Sequence, residues 1–301
     1  MIVHSNPSPG WIELLITLKG SIAKRIAIRC LLITVLAALI VFIEGMYPGG
    51  FHRVSATPFT LLGLSLSIFM SFRNNACYAR WWEGRKAWGR VVWEVRSFAR
   101  ESHVIADAQL RATLLQALCG YAHALNARLR NEDEFDAART WLDAERTRYG
   151  HNVTDGILRD IGGRCSALAS DEAISEWRYI TLEQRLLGLS EAQASCERIQ
   201  NTPLPFPYTL LLHRTTLIFC LLLPFVLAQP LGWLAPLFTT IVSYTFFGLD
   251  TIGDELENPF GYDDNDLPTD AIVRHIERDM LDSAGHVELP PAREPSDGVL
   301  T

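Results

Sequence analysis

The feature that most constrains this chain is a run of 19 residues without a charged side chain, from Leu231 to Leu249. This length matches the ~20 residues that an α-helix needs to cross the hydrocarbon core of a bilayer. The mean hydropathy of the whole chain is only +0.11, which is too low for a protein that lies wholly in lipid. The sequence therefore predicts a membrane protein that also has a water-soluble region of comparable size.

Three shorter charge-free runs cover residues 30–43, 59–72 and 217–228. By length alone, each of them could equally be the buried core helix of a soluble domain. Helix-breaking residues 48–50 and 229–230 nevertheless separate the four runs into two pairs, as the turns of helical hairpins would. We therefore expect four transmembrane helices.

Basic residues flank the first hairpin on one side. They are Lys19, Lys24, Arg25 and Arg29 before the first run and Arg73, Arg80, Arg85, Lys86 and Arg90 after the second, whereas the intervening loop holds only Arg53. The positive-inside rule then places both termini in the cytoplasm of a bacterial inner membrane. Nucleic-acid binding is not expected, because these basic residues adjoin apolar runs instead of forming an independent patch.

The rest of the chain predicts helices rather than strands. Apolar residues spaced by three and four form two series: Leu110, Leu114, Leu118, Tyr121, Leu125 and Leu129, and then Ile174, Trp177, Ile180, Leu186 and Leu187. No alternating pattern long enough to build a β-sheet is present in the sequence. We expect an all-α membrane protein with four parts: residues 1–94 with the first two transmembrane helices, 95–207 as a cytosolic helical region, 208–250 with the last two transmembrane helices, and 251–301 as an acidic cytosolic segment with a disordered tail.

The sequence lacks the motifs of common enzyme classes. It contains no phosphate-binding glycine loop, no zinc-protease motif and no serine-hydrolase motif, so we expect neither catalysis nor a cofactor. The one dense polar group is Asp263, Asp264, Asn265 and Asp266, followed by Asp270. Clustered oxygen ligands suit hard cations, but the spacing does not fit an EF-hand. A solvated helix start, an ion site and an enzyme's magnesium site all stay open here.

The second apolar run carries a candidate pore wall. Leu64, Ile68 and Phe72 are spaced by four residues and therefore lie on one face of a helix. Most such stripes on membrane helices face lipid or a protein core. If several copies of the chain surround an axis, the same stripe becomes a hydrophobic constriction that gates by dewetting.

Three segments resemble signatures of the bestrophin family, in its bacterial branch. They are residues 71–83 (SFRNNACYARWWE), residues 258–268 (NPFGYDDNDLP) and residues 196–214, which contain the strings CERI, TPLPF and LHR. The resemblance implies a homopentameric ion channel. Each subunit would contribute four transmembrane helices and a helical cytosolic vestibule to a central pore.

The resemblance also implies positions for two constrictions of the pore. The family's three neck positions carry over to Leu64, Ile68 and Phe72. A second, cytosolic aperture is formed in the family by one side chain per subunit, and Ile180 is the residue expected there. Tyr179 and Leu182 are the register alternatives at that aperture, and the helix pattern alone would make Ile180 a core residue.

The resemblance does not decide which ions pass. Eukaryotic members conduct anions and carry a calcium clasp at the acidic run, whereas bacterial members have been described as passing cations. Tyr262 and Asn265 interrupt the acidic run here, so the resemblance by itself does not decide whether calcium gates this chain or whether Asp263, Asp264 and Asp266 bind a metal. The uncharged neck favours neither sign of charge, and the acidic C-terminal segment weakly favours cations.

We therefore expect a passive channel for small monovalent ions, cations or chloride, in the bacterial inner membrane. Its partners would be further copies of itself in a pentamer, small inorganic ions and the lipid bilayer. Two alternatives belong to other classes of protein. A membrane enzyme acting on diphosphate lipids would use Asp266 and Asp270 for magnesium, and a non-conducting membrane scaffold would use the cytosolic helices as a docking surface.

Overall fold

The computed structural model describes residues 1, 20–47, 55–296 and 298–301. The predicted loop at residues 48–50 and the basic residues Lys19 and Arg53 lie outside this part of the chain. The one β-type pairing within the described residues is an isolated bridge between Ser296 and Val299, and all other regular structure is helical. The all-α fold class predicted from the sequence is confirmed.

Ten α-helices follow one another along the described chain. They are α1 (Ala23–Met46), α2 (Ala56–Glu101), α3 (Ala108–Leu129), α4 (Glu134–Ala138), α5 (Arg146–Tyr149), α6 (Val153–Ser170), α7 (Glu176–Asn201), α8 (Phe206–Leu231), α9 (Ala235–Glu257) and α10 (Thr269–Ser283). Short 3₁₀ turns cover Ser102–Val104, Arg139–Trp141 and Gly232–Leu234.

These helices form two compact units, each of which is described by itself. The apolar unit comprises Asn6–Trp81 and Pro203–Asn258, and so contains α1, the first part of α2, α8 and α9. The polar unit comprises Met1–Ser5, Trp82–Thr202 and Pro259–Thr301, and so contains the rest of α2, α3 to α7, and α10.

The core of the apolar unit draws apolar side chains from all four of its helices. Phe219 of α8 joins three of them, because its ring lies 5.1 Å from the ring of Phe246 on α9 and 6.3 Å from that of Phe59 on α2. The hydroxyl groups of Thr34 and Thr240 lie 2.6 Å apart and link α1 to α9. A polar pair of this kind in an apolar setting holds two membrane helices in register.

Two stretches of described helix are long and apolar enough to cross a membrane, Ala23–Met46 and Phe206–Glu257. The second stretch is interrupted at Gly232, whose φ of 53° lies in the left-handed region, so it supplies the two separate helices α8 and α9. The apolar start of α2 is not among the stretches that are long and apolar enough to cross a membrane. The count of four transmembrane helices therefore stays a prediction.

The polar unit is built around α3, which packs against α10, α4, α6 and α7. Asp107 begins α3 by accepting hydrogen bonds from the backbone N–H groups of Gln109 and Leu110, at 2.9 and 3.1 Å. Tyr121, near the middle of α3, donates its hydroxyl to the Leu189 carbonyl of α7 over 2.9 Å. Complete burial raises the pKa of Tyr121 well above its ordinary value, so the phenol stays a donor.

The two apolar series predicted for this unit differ in outcome. The α3 series is confirmed, since Leu114 and Leu118 are fully buried. The second series is wrong in its first turn, where Trp177 and Ile180 are exposed while Leu182 is buried. α7 begins at Glu176, so Ile174 lies before the helix and does not fix which of its faces is buried. That face is decided by the neighbouring helices.

Candidate functional site

The three predicted neck residues lie on the surface of the chain. The exposed fractions of Leu64, Ile68 and Phe72 are 59%, 47% and 60%, whereas Leu66 and Met70 on another face of α2 are 2% and 0% exposed. The helix therefore packs in its unit through one face and leaves an apolar stripe exposed within the part of the chain that the structure describes. Lipid, a second copy or a pore lumen are the environments left for such a stripe.

Arg73 directly follows Phe72 and is completely buried. Its Nη1 donates to the Asp250 side chain over 3.0 Å and to the Asp250 carbonyl over 3.2 Å. Its Nη2 donates to Asp254 and lies 3.8 Å from a carboxylate oxygen of Glu257. The three acids lie on α9 at spacings of three and four residues, so one face of that helix encloses the guanidinium.

A histidine completes this ionic cluster from a third helix. His213 of α8 places Nδ1 2.5 Å from Asp250 Oδ2 and Nε2 3.5 Å from Asp254 Oδ1. The Asp250 carboxylate therefore divides its two oxygens between Arg73 and His213. We call Arg73, His213, Asp250 and Asp254 the ionic cluster. It joins α2, α8 and α9 at the end of the exposed stripe.

Two side chains of α2, Arg73 and Asn74, pack directly against the backbone of α9. Asn74 Nδ2 donates to the Leu249 carbonyl over 2.9 Å. A Cβ added at Gly253 would lie 2.7 Å from Asn74 Oδ1 and 3.0 Å from Arg73 Nη1. A side chain at this position would collide with the Asn74 amide and with the Arg73 guanidinium itself, so the glycine is needed for space rather than for a special backbone angle.

Sequence reasoning missed this cluster. In the sequence, Arg73 stands out as a basic flank of a membrane run and as part of a family signature, and His213 as part of another signature, but neither pattern predicts that they meet. A local signal was nevertheless present, because Asp250 and Asp254 follow the longest charge-free run at helical spacing, as Arg73 follows another. Charges at the ends of apolar helices are expected to pair with one another when they face the interior.

The predicted aperture residue lies on the first turns of α7, in the polar unit. Ile180 is 46% exposed and Trp177, three residues earlier, is 81% exposed. Of the register alternatives, Leu182 is fully buried and Tyr179 is half-buried. The interpretation of Ile180 as a core residue of the chain is therefore wrong.

The segment after α9 that contains the acidic run is contacted by Arg130, the residue directly after α3. Asp270 accepts hydrogen bonds from Asn126 over 2.7 Å and from Arg130 over 2.5 Å. Arg130 also donates to the Phe260 carbonyl over 3.2 Å and lies 4.1 Å from the centre of the Tyr262 ring. Asp270, a magnesium ligand in the enzyme alternative, thus has a structural partner.

Asp266, the other acid of that alternative, is 4% exposed. Its Oδ2 accepts from the backbone N–H of Asp263 over 2.9 Å, and the Leu267 N–H donates to the Pro259 carbonyl over 2.9 Å. Both hydrogen bonds are made within the loop between α9 and α10. Asp266 therefore serves a turn in which its carboxylate replaces a backbone acceptor.

Comparison with known proteins places these features in a family. The family profile described as Bacterial/Fungal Bestrophin protein matches residues 1–282. The voltage-dependent anion channel-forming protein mll4386 of Mesorhizobium japonicum is 41% identical over 99% of this chain and 96% of its own. The voltage-dependent anion channel-forming protein YneE of Escherichia coli K12 is 35% identical over 96% of both chains.

Solved structures agree with the sequence comparison. A crystal structure of a bacterial bestrophin homologue from Klebsiella pneumoniae superposes with a TM-score of 0.82 at 33% identity. The match covers 87% of this chain and 100% of that chain. The family match over residues 1–282 includes the helices that carry the exposed stripe and the ionic cluster.

Proposed function

This chain belongs to the bacterial and fungal bestrophin family, and on that basis we propose that it is a passive ion channel and not an enzyme. Two relatives that match it over nearly their whole length are named channel-forming proteins. No catalytic step is needed for this function. The channel lets ions cross a bacterial membrane along their electrochemical gradient.

We propose that the conducted ions are small, monovalent and anionic. The names of the relatives specify anions, which favours chloride over the cations that the acidic C-terminal segment suggested. The neck side chains themselves are uncharged, so they discriminate by size and by the cost of dehydration rather than by charge.

The observation that carries the pore is the exposed stripe of Leu64, Ile68 and Phe72. One chain has too few helices to enclose a channel, so the pore requires a ring of copies. We propose a homopentamer in which α2 of each subunit turns this stripe towards the axis. Five apolar side chains at each level then form the hydrophobic neck.

The ionic cluster fixes the orientation of α2 relative to α9. Arg73 is anchored to acids of α9, so the rotation of α2 about its axis is held at the residue next to Phe72. A buried arginine is costly unless it is fully paired. Its pairing therefore serves orientation, and we propose that it presents Phe72 to the pore.

A second constriction is proposed at Ile180. Its support is the contrast between Ile180, which is half exposed, and Leu182, which is fully buried in the same helix. An exposed isoleucine at the start of α7 is free to narrow a water-filled vestibule shared by five subunits. Both termini and this vestibule would lie on the cytoplasmic side of the inner membrane, with four transmembrane helices per subunit.

Reconstitution tests the proposal directly. The full-length protein, with its mass in detergent confirmed as a pentamer by native mass spectrometry, is placed in planar bilayers with unequal NaCl on the two sides. We expect currents whose reversal potential has the sign of chloride conduction. A reversal potential with the sign of sodium conduction would support a channel but contradict anion selectivity. Pentamers that carry no current would favour the non-conducting scaffold, and a monomer or dimer would contradict the pore.

A further inference from the structure

His213, Asp250 and Asp254 carry donor atoms that ion conduction through the proposed neck does not use. Within the part of the chain that the structure describes, they are the one group of three histidine, cysteine, aspartate or glutamate residues whose possible metal-ligand atoms lie within 4.8 Å of one another. Asp250 is buried, but 36% of the His213 side chain and 43% of the Asp254 side chain are exposed. A small ion can therefore reach the group from the side of His213 and Asp254.

The charges around this group are unbalanced. A single guanidinium, that of Arg73, faces the carboxylates of both Asp250 and Asp254, and Glu257 lies 3.8 Å from the same guanidinium. The Asp250 carboxylate is removed from water, whereas Asp254 is partly exposed, and a buried carboxylate is strongly penalised unless positive charge compensates it. The arrangement therefore favours a further cation beside the acids, and a divalent ion would offset the remaining negative charge.

The imidazole of His213 is held as metal-bound histidines commonly are. Asp250 Oδ2 lies 2.5 Å from Nδ1, so a proton on Nδ1 is directed to the carboxylate and the lone pair of Nε2 points away from it. Nε2 lies 3.5 Å from Asp254 Oδ1. Two ligands of a tetrahedral Zn²⁺ ion are about 3.3 Å apart, given metal–ligand distances of about 2 Å. One ion fits between His213 and Asp254.

Arg73 holds the two carboxylates in place for such an ion. It donates to Oδ1 of Asp250 and to Oδ1 of Asp254, which leaves Oδ2 of Asp250 for the imidazole. The Asp254 oxygen that lies 3.5 Å from His213 Nε2 is the same Oδ1, and its second lone pair stays available for a metal ion beside the hydrogen bond from Arg73. Hydrogen bonds from outside the ligand set commonly orient ligating carboxylates in this way.

We propose that His213 Nε2 and the carboxylate of Asp254 bind a divalent transition-metal ion of the Zn²⁺ type, with Asp250 orienting the imidazole. Water completes the coordination of the ion. An imidazole donor selects ions of this type over Mg²⁺ and Ca²⁺, which prefer oxygen ligands. This binding site is independent of whether the chain conducts, because binding is measured on the purified protein without a current.

Calorimetric titration of the chelator-stripped, full-length protein with ZnCl₂ tests the site. We expect one Zn²⁺ per chain, and His213→Gln and Asp254→Asn should each weaken Zn²⁺ binding by at least about 10-fold. His151→Gln is the matched control, because it removes an exposed imidazole of the polar unit and should bind Zn²⁺ like the unmodified protein. Equal binding by the unmodified protein and His213→Gln, or binding by neither, overturns the proposal.

A second measurement does not depend on the folding of any variant. X-ray absorption of the Zn²⁺-loaded unmodified protein should show one imidazole and otherwise oxygen ligands around the ion. If His213 acts only as a protonated counter-ion of the two acids, no imidazole is found and the proposal fails. Displacement of Zn²⁺ by an equal concentration of Mg²⁺ would likewise overturn the assigned class of ion.

Discussion

Arg73 and Asp250 form an ion pair in which both side chains are buried, with Arg73 Nη1 3.0 Å from Asp250 Oδ1. The pair joins α2 to α9 across a sequence separation of 177 positions. It lies one residue beyond Phe72, the last of the three exposed stripe residues. The contact that orients the proposed pore helix is therefore made by the residue directly after the proposed neck.

Breaking this pair from one side should destabilise the protein. Arg73→Leu leaves Asp250 buried without its cation, so we expect the free energy of unfolding to fall by about 3–5 kcal/mol, measured by thermal and denaturant unfolding in detergent. Arg178→Gln, which removes an exposed arginine of α7, should change it by no more than about 0.5 kcal/mol. The double variant Arg73→Leu, Asp250→Leu should recover part of the loss. A double variant no more stable than Arg73→Leu alone would show that the buried charge is not the cause.

Gly253→Ala should disturb the same contact through space alone. The added methyl group would lie 2.7 Å from Asn74 Oδ1, so α9 must move away from α2 or the asparagine must turn. We expect a loss of about 1–3 kcal/mol of unfolding free energy, read from the same unfolding curves. Gly89→Ala, also within a helix but with nothing within 4 Å of the new Cβ, should be neutral or stabilising. Equal effects of the two substitutions would contradict the close approach.

Phe72→Ala should raise the single-channel conductance, because a dewetting barrier falls when an apolar ring widens. The matched control is Phe69→Ala, since Phe69 is also exposed on α2 but lies off the stripe of spacing four. It should leave the conductance unchanged. An unaltered current in a correctly assembled Phe72→Ala pentamer would remove Phe72 from the pore wall.

Ile180→Ala should alter permeation while leaving stability nearly intact, because a half-exposed side chain loses little packing. Leu182→Ala, two residues later, empties a fully buried position and should cost about 2–5 kcal/mol of unfolding free energy. Melting temperature and conductance measured on both variants separate an aperture from a core role. A large stability loss with unaltered current in Ile180→Ala would defeat the aperture assignment.

Asp143 should make stability of the polar unit depend on acid pH. Burial acts to raise the pKa of Asp143, but Arg164, which donates to both carboxylate oxygens at 2.9 and 2.7 Å, outweighs it and lowers the pKa below the ordinary 3.8. The ionised carboxylate therefore stabilises the fold above pH 3.8, and this contribution is lost as pH falls through the lower folded-state pKa. Asp143→Asn should flatten this acid dependence in unfolding curves recorded between about pH 6 and about pH 2. An unchanged slope would contradict the assignment.

Local pattern was enough to determine the class of this protein. The charge-free run that ends at Leu249 predicted an apolar helix, and the series from Leu110 to Leu129 predicted α3, because helical periodicity and hydropathy depend only on near neighbours. The break between α8 and α9 just after Pro230 was also predicted, because a proline within an apolar run is a local signal for the end of a helix. Spacing alone also predicted that Leu64, Ile68 and Phe72 share one face of α2, but it left open whether that face is buried or exposed.

Only the tertiary structure decided which charges meet and which apolar residues are buried. Arg73, His213 and Asp250 are distant in sequence, and nothing local to Arg73 says that its side chain turns inward to α9 rather than outward to a phosphate. Trp177 and Ile180 continue an apolar series, yet they are exposed because the neighbours of α7 cover the face of Leu182 instead. Burial is a property of the assembled surfaces and not of the residue series, which is why spacing predicted the helices and the fold assigned their faces.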